Sequence, residues 1–152
     1  MTVTLTGDHS PALPGVALLV ILQAAVSAAS LVVEIVAGRM LAPYVGMSLY
    51  TWTSIIAVVL AGFSAGHWAG GRIAEMQVPR ALLWTGWALL GAGLTTAMAV
   101  FVLRSGADLL LPYIASPITA IIALSMLAFF LPSFFAGIPA PVLAQISVAA
   151  AP

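Results

Sequence analysis

The sequence predicts an all-α protein, a polytopic bundle of transmembrane helices. Of its 152 residues, 63% are hydrophobic and only 5% are charged, whereas a soluble domain carries about 25% charged residues. The mean hydropathy is +1.21. The apolar residues also form continuous runs of about 20, which is the length of a helix that crosses a bilayer. We therefore expect an integral membrane protein surrounded by lipid.

The apolar runs divide the chain into a polar N-terminal tail, residues 1–14, and one transmembrane helical domain, residues 15–152. The tail lacks the basic segment of a cleaved signal peptide, so the first run should remain in the mature protein. We expect about four spans, after which prolines break the C-terminal helix; a fifth short span is the alternative. The predicted spans are residues 16–37, 49–70, 81–103 and 117–135, followed by a kinked or interfacial tail at 136–152.

Short connections join the predicted spans, so neighbouring helices should run antiparallel. In the first connection, residues 39–48, we expect a corner at Gly38-Arg39 and a turn at Pro43. The second, residues 71–80, holds two of the four arginines. Because positive charge favours the cytoplasmic side, this connection and both chain termini should be cytoplasmic. The expected location is the inner (cytoplasmic) membrane of a bacterial-type cell.

The charge and cysteine content exclude several classes of function. The formal net charge is zero and there is no lysine, so the basic patch that nucleic-acid binding requires is missing. Without cysteine there are no disulfides, thiolate metal sites or cysteine nucleophiles. The sequence also lacks a phosphate-binding glycine loop, paired carboxylates and a nucleophile next to a base. We expect no catalytic residue, no metal site and no cofactor in this chain.

A line of polar side chains follows the first predicted span. Its members are separated by four, three and four residues, so they stay within about 60° of one another on a helix. We call this set the polar line: Gln23, Ser27, Ser30 and Glu34. It predicts either a path or pocket for a cation or polar solute, or a set of hydrogen bonds to neighbouring helices.

Glu34 is the most informative member of the polar line. A carboxylate inside an apolar helix is costly, so it indicates a functional role or a paired structural one. Arg39 follows five residues later, and we expect its guanidinium to reach back and neutralise Glu34 or an acid on another helix. The distance from Pro14 places Glu34 near the far membrane interface. Trp52 is a further ligand-binding candidate, because it lies close in sequence to the first connection.

Small residues at every fourth position mark the second span. Glycines at this spacing allow two helix backbones to approach closely. We call Gly62, Gly66 and Gly70 the glycine spine; it faces either another helix of this chain or a partner, and we favour a second copy or a partner membrane subunit. His67, next to Gly66, is typical of an interfacial hydrogen-bonding residue; a proton relay is the alternative.

One block of the sequence resembles a known family. Its positions are Glu34, Gly38-Arg39, Leu41-Ala42-Pro43, Gly46, Ser48, Trp52-Thr53, Gly62, Gly66 and Gly70-Gly71-Arg72, with Leu131-Pro132-Ser133-Phe134 and Gly137 to Pro141 further on. This pattern is similar to the membrane domain of the fused, membrane-bound spermidine synthase-like proteins, which are homologues of polyamine aminopropyltransferases. The resemblance implies a major-facilitator-like helical region followed by a soluble transferase domain that uses decarboxylated S-adenosylmethionine and a polyamine.

The resemblance leaves three interpretations of function. The transferase domain would begin where this sequence ends, at Pro152, so none of the family's catalytic acids has a counterpart here. We expect a membrane anchor or regulatory region, non-catalytic in itself, with a soluble transferase as a partner. The first alternative is a small oligomeric transport or binding unit for a cationic solute such as a polyamine. The second is a structural helical subunit of a larger membrane complex.

Overall fold

The computed structural model describes residues 15–150, and the predicted polar tail at 1–14 lies outside the described residues, as do residues 151–152. Within this range the helices are α1 (Val16–Val45), α2 (Leu49–Ala74), α3 (Val78–Leu110), α4 (Pro117–Gly137) and α5 (Pro139–Ala150). The described chain contains four stretches that are long and apolar enough to cross a membrane, with α4 and α5 together forming the fourth. The predicted all-α transmembrane bundle is confirmed.

The first helix extends well beyond its predicted end. Helix α1 runs through Gly38, Arg39 and Pro43 to Val45, so the predicted corner and proline turn are wrong. Pro43 removes one backbone donor, and so close to the end of the helix this costs one hydrogen bond without breaking the preceding turns. The helix ends instead at Val45, and the residue that caps it is Gly46, whose φ of 75° suits glycine.

Two hydroxyl side chains close the connection between α1 and α2. The Ser48 hydroxyl accepts a hydrogen bond from the Thr51 backbone N–H at 3.2 Å and caps α2. The buried Thr51 hydroxyl donates to the Gly46 carbonyl at 3.0 Å. The connection is therefore short and internally bonded, which makes α1 and α2 antiparallel neighbours.

Two buried clusters define the two ends of the bundle. One joins the end of α1, the start of α2, the end of α3 and the start of α4; it includes Leu41, Ile55, Leu103 and Leu124. The other joins the start of α1, the start of α3 and α5; its members are Leu19, Ala81, Val142, Leu143 and Ile146. The start of α1 and the end of α5 therefore lie at the same end of the bundle, as four crossings require.

Helix α5 completes the fourth crossing. Its 12 residues extend about 18 Å, too short for a hydrocarbon core of about 30 Å, so a fifth span is not supported. The chain bends at Ile138, and Pro139 begins the new helix. Val142 and Leu143 of α5 are 0% and 2% exposed. The tail is kinked, as predicted, but it belongs to the core and not to the membrane interface.

The glycine spine lies against α4 and the start of α5. A Cβ atom on Gly62 would come within 2.7 Å of the Ser133 Cβ. A Cβ atom on any of the three glycines would also overlap a backbone carbonyl oxygen of the facing segment. Only glycine therefore permits α2 to approach that segment so closely. The oxygens belong to Phe130, Phe134 and Ile138, respectively.

The expectation that the glycine spine faces a partner chain is therefore wrong. Its partner is within this chain, because α4 presents small residues at the matching positions. Gly137 lies opposite Gly66, and Ser133 lies opposite Gly62. The spine thus fixes the separation of α2 and α4 in the centre of the bundle.

Candidate functional site

The carboxyl group of Glu34 is placed in the middle third of helix α1. Glu34 lies 18 residues after Val16 and 11 before Val45, which is about 27 Å and about 17 Å along the axis. The expectation of a position near the far end depended on a helix that stopped near Gly38. Because α1 continues to Val45, the acid instead lies near the middle of a helix long enough to cross a bilayer, and a charge at the centre of such a helix is costly.

A cavity of about 440 Å³, which we call the central cavity, lies beside Glu34. All four spans contribute to it, each through its middle third. Its wall is mostly apolar and includes Val33, Val59, Phe63, Leu89, Ala92 and Pro132. The polar side chains in the wall are Ser30, Glu34, Thr96 and Ser133. This is the size and composition of a small-molecule site, which is usually apolar with a few placed polar groups.

A second cavity, of about 370 Å³, brings the whole polar line together with His67. Its wall contains all four members of the line on α1 and His67 on α2, and it shares Ser30 and Glu34 with the central cavity. The structure thus joins two features that the sequence could only suggest separately. Glu34 stands between the two cavities.

A third cavity, of about 520 Å³, continues along the same face of α1 towards its first turns. It shares Gln23 and Ser27 with the second cavity, and Ser147 of α5 lies in its wall. We call the second and third cavities together the polar groove. It follows α1 from near Leu19 to the carboxyl group of Glu34, in the centre of the bundle.

The polar line makes its hydrogen bonds within α1. The Gln23 amide nitrogen donates to the Ser27 hydroxyl at 3.4 Å, and the Ser30 hydroxyl donates to the Val26 carbonyl at 2.9 Å. Among residues 15–150, these side chains form no hydrogen bond to another helix, and the buried amide oxygen of Gln23 has no partner. The interpretation of the line as a set of bonds between helices is therefore unsupported.

The expected pairing of Arg39 with Glu34 is absent. Since α1 continues through both residues, their separation of five positions turns them about 140° apart around the helix. The Arg39 side chain is exposed, on the side of α1 that faces away from Glu34. In the described part of the chain, no ion pair within 4.0 Å joins the two. The carboxyl group of Glu34 faces the cavities without an arginine partner.

Trp52 does not take part in the site. Its indole ring lies over Gly38, where a Cβ atom would come within 2.7 Å of the ring carbon Cη2. Trp52 is not in the wall of any of the three cavities. Its contact fastens the start of α2 to α1.

Sequence reasoning missed the contributions of α2, α3 and α4 to the central cavity. Phe63, Thr96 and Ser133 carry no charge, and each stands in an apolar run that predicts only a span. One signal was available for Phe63, because it follows Gly62 of the glycine spine and precedes His67 by one helical turn. Within residues 15–150 no group of three or more metal-binding side chains comes together.

Neither a family model, nor a curated protein, nor a solved structure matches this chain.

Proposed function

We propose that this protein is an integral membrane unit that binds an organic cation in the central cavity, with Glu34 as its counter-charge. One observation carries this proposal. Glu34 stands in the middle third of α1, in the wall of both the central cavity and the polar groove, and it has no arginine partner. A cation in the central cavity would supply the missing opposite charge.

The energetics favour a ligand of this sign. A carboxylate at the centre of a membrane helix costs a few kcal/mol even on lenient scales, and burial of an unpaired charge is destabilising. A bound cation offsets part of this cost. An anion would increase it, and a neutral solute would leave it unchanged.

The polar groove supports a route to the cavity. It leads along α1 from the end of the bundle that holds Leu19 and α5. Arg72 and Arg80 flank the α2–α3 connection at this same end. By the bias of positive charge towards the cytoplasm, we place this end, with the start of α1 and the end of α5, on the cytoplasmic side of an inner membrane.

Equilibrium dialysis on the purified protein in nanodiscs tests the proposal. The probes are labelled tetraphenylphosphonium, octyltrimethylammonium and spermidine, offered to wild type, Glu34→Gln and Glu75→Gln. Glu75 is the C-cap residue of α2 and is not in the wall of any of the three cavities. The control substitution Glu75→Gln therefore removes the same charge without changing the site. We expect at least one probe to bind wild type and Glu75→Gln but not Glu34→Gln. Binding of none of them, or binding that Glu34→Gln leaves unchanged, overturns the proposal.

A second candidate function comes from the resemblance to spermidine synthase-like membrane domains. Several positions of the resembling block form the helix contacts: Gly38 lies under Trp52, and Gly66 lies against Gly137. These contacts fit a membrane domain whose helices pack through small residues, and the candidate function is a non-catalytic membrane anchor or regulatory region with a soluble transferase partner. Aminopropyl transfer by material co-purified in mild detergent would support this candidate, and its absence would remove the support.

A further inference from the structure

The central cavity offers one charge in an otherwise neutral wall. Among the residues that line the three cavities, Glu34 is the single acid, and His67 is the one other titratable group. The remaining charged side chains of residues 15–150 stand outside these walls. They are Arg39, Arg72, Glu75, Arg80, Arg104 and Asp108. The site can therefore neutralise one cationic nitrogen.

A second cationic nitrogen would find no counter-charge. The polar groove offers the amide oxygen of Gln23, which is buried and has no partner, but it lies 11 residues from Glu34, about 17 Å along the helix. An amide oxygen accepts a hydrogen bond without cancelling a charge. A polyamine in this site would bury at least one uncompensated ammonium, which is strongly unfavourable.

The wall next to Glu34 favours an apolar body on the ligand. Phe63 lines both the central cavity and the polar groove together with Glu34. An aromatic ring in the same wall as a carboxylate suits a poorly hydrated ammonium, since the ring attracts the cation while apolar groups cover its substituents. Val33, Val59 and Leu89 extend the apolar surface.

Building on the proposed function, we infer that the ligand is a monocation with an apolar body, such as an alkyl- or arylammonium compound, and not a polyamine. Its nitrogen lies between the Glu34 carboxylate and the Phe63 ring, and its apolar part fills the central cavity. This assigns the substrate class by charge number. The site discriminates against polyamines because a second ammonium would be buried without a counter-charge.

Competition in nanodiscs tests this inference. Labelled tetraphenylphosphonium is bound to the wild-type protein, and unlabelled competitors are then titrated. The three competitors are octyltrimethylammonium, its uncharged carbon isostere, and spermidine. We expect octyltrimethylammonium to compete at concentrations at least about 100-fold lower than either of the other two. Phe63→Leu should weaken its binding by about threefold to tenfold, with an unchanged melting temperature as the control for folding.

The outcomes separate the inference from the proposed function. Binding of spermidine that depends on Glu34 and equals or exceeds that of octyltrimethylammonium overturns the inference and leaves the proposed function intact. Equal competition by the uncharged isostere overturns both, because the cavity would then select for apolar bulk alone and Glu34 would not act as a counter-charge. If no cation binds at all, both fail.

Discussion

Gly66 of α2 and Gly137 of α4 lie so close together that neither position has room for a Cβ atom. A Cβ on Gly66 would lie 3.0 Å from the Cα of Gly137, and one on Gly137 would lie 2.9 Å from the carbonyl oxygen of Phe63. This contact holds α2 and α4 at backbone distance just beside the central cavity. The same contact therefore positions Phe63 in the cavity wall.

Gly66→Ala should destabilise the bundle. Its new methyl group would meet the carbonyl oxygen of Phe134, a backbone atom that cannot turn away, so we expect a loss of about 1–3 kcal/mol. Gly71→Ala is the matched control on the same helix, since nothing lies within 4 Å of its Cβ position. It should be neutral or stabilising by up to about 1 kcal/mol, because alanine favours the helix. Thermal unfolding in detergent measures both, and equal melting temperatures would contradict the assigned packing.

Helix α5 should contribute to stability as part of the core. Val142 and Val148 are one residue type on one helix, but their side chains are 0% and 76% exposed. We expect Val142→Ala to lower the free energy of unfolding by about 2 kcal/mol through loss of buried methyl groups. Val148→Ala should change it by less than about 0.5 kcal/mol. Similar effects at both positions would mean that α5 lies at the membrane surface.

The sequence predicts the fold of this protein better than its site. Runs of apolar residues reveal the spans, because crossing a bilayer imposes a length and a composition. Helix ends are less visible: Pro43 predicts a turn, but near the end of α1 it costs only one hydrogen bond. The partner of Gly66 could not be predicted, because the four-residue spacing is the same for a contact within the chain or between chains.

For the site, the sequence predicts the polar line on α1 but not the residues that face it. Periodicity places Gln23, Ser27, Ser30 and Glu34 on one face, and the structure places that face along the cavities. The opposite walls come from neutral residues such as Phe63 and Thr96, which leave no signal in an apolar run. The expected Glu34–Arg39 pair depended on a helix end that does not exist.

Glu34 and Arg39 should behave as energetically independent residues. They lie on different sides of a continuous helix, so we expect Glu34→Gln to leave folding intact or slightly stabilised. The effect of Arg39→Gln should add to that of Glu34→Gln within about 0.5 kcal/mol. Thermal melts of the two single variants and the double variant measure the coupling. Destabilisation by Glu34→Gln that Arg39→Gln rescues would establish a structural ion pair.

The two shorter connections should lie on opposite sides of the membrane. Met47, between α1 and α2, and Met76, between α2 and α3, are 55% and 44% exposed, and the chain has no cysteine of its own. In intact cells, a membrane-impermeant maleimide should label Met47→Cys but not Met76→Cys, and both after permeabilisation. Labelling of Met76→Cys alone in intact cells would reverse the proposed orientation.

Protection of Glu34 from chemical modification by a bound cation is a direct measure of the proposed function, because it reports on the proposed counter-charge itself. Dicyclohexylcarbodiimide, a lipid-soluble reagent, adds to carboxyl groups, and mass spectrometry gives the extent of modification at Glu34, Glu75 and Asp108 in one sample. We predict that saturating tetraphenylphosphonium slows modification of Glu34 at least about tenfold and leaves the other two acids unchanged, since only Glu34 lines the central cavity. Modification of Glu34 at the same rate with and without the cation, or equal slowing at all three acids, would contradict the account.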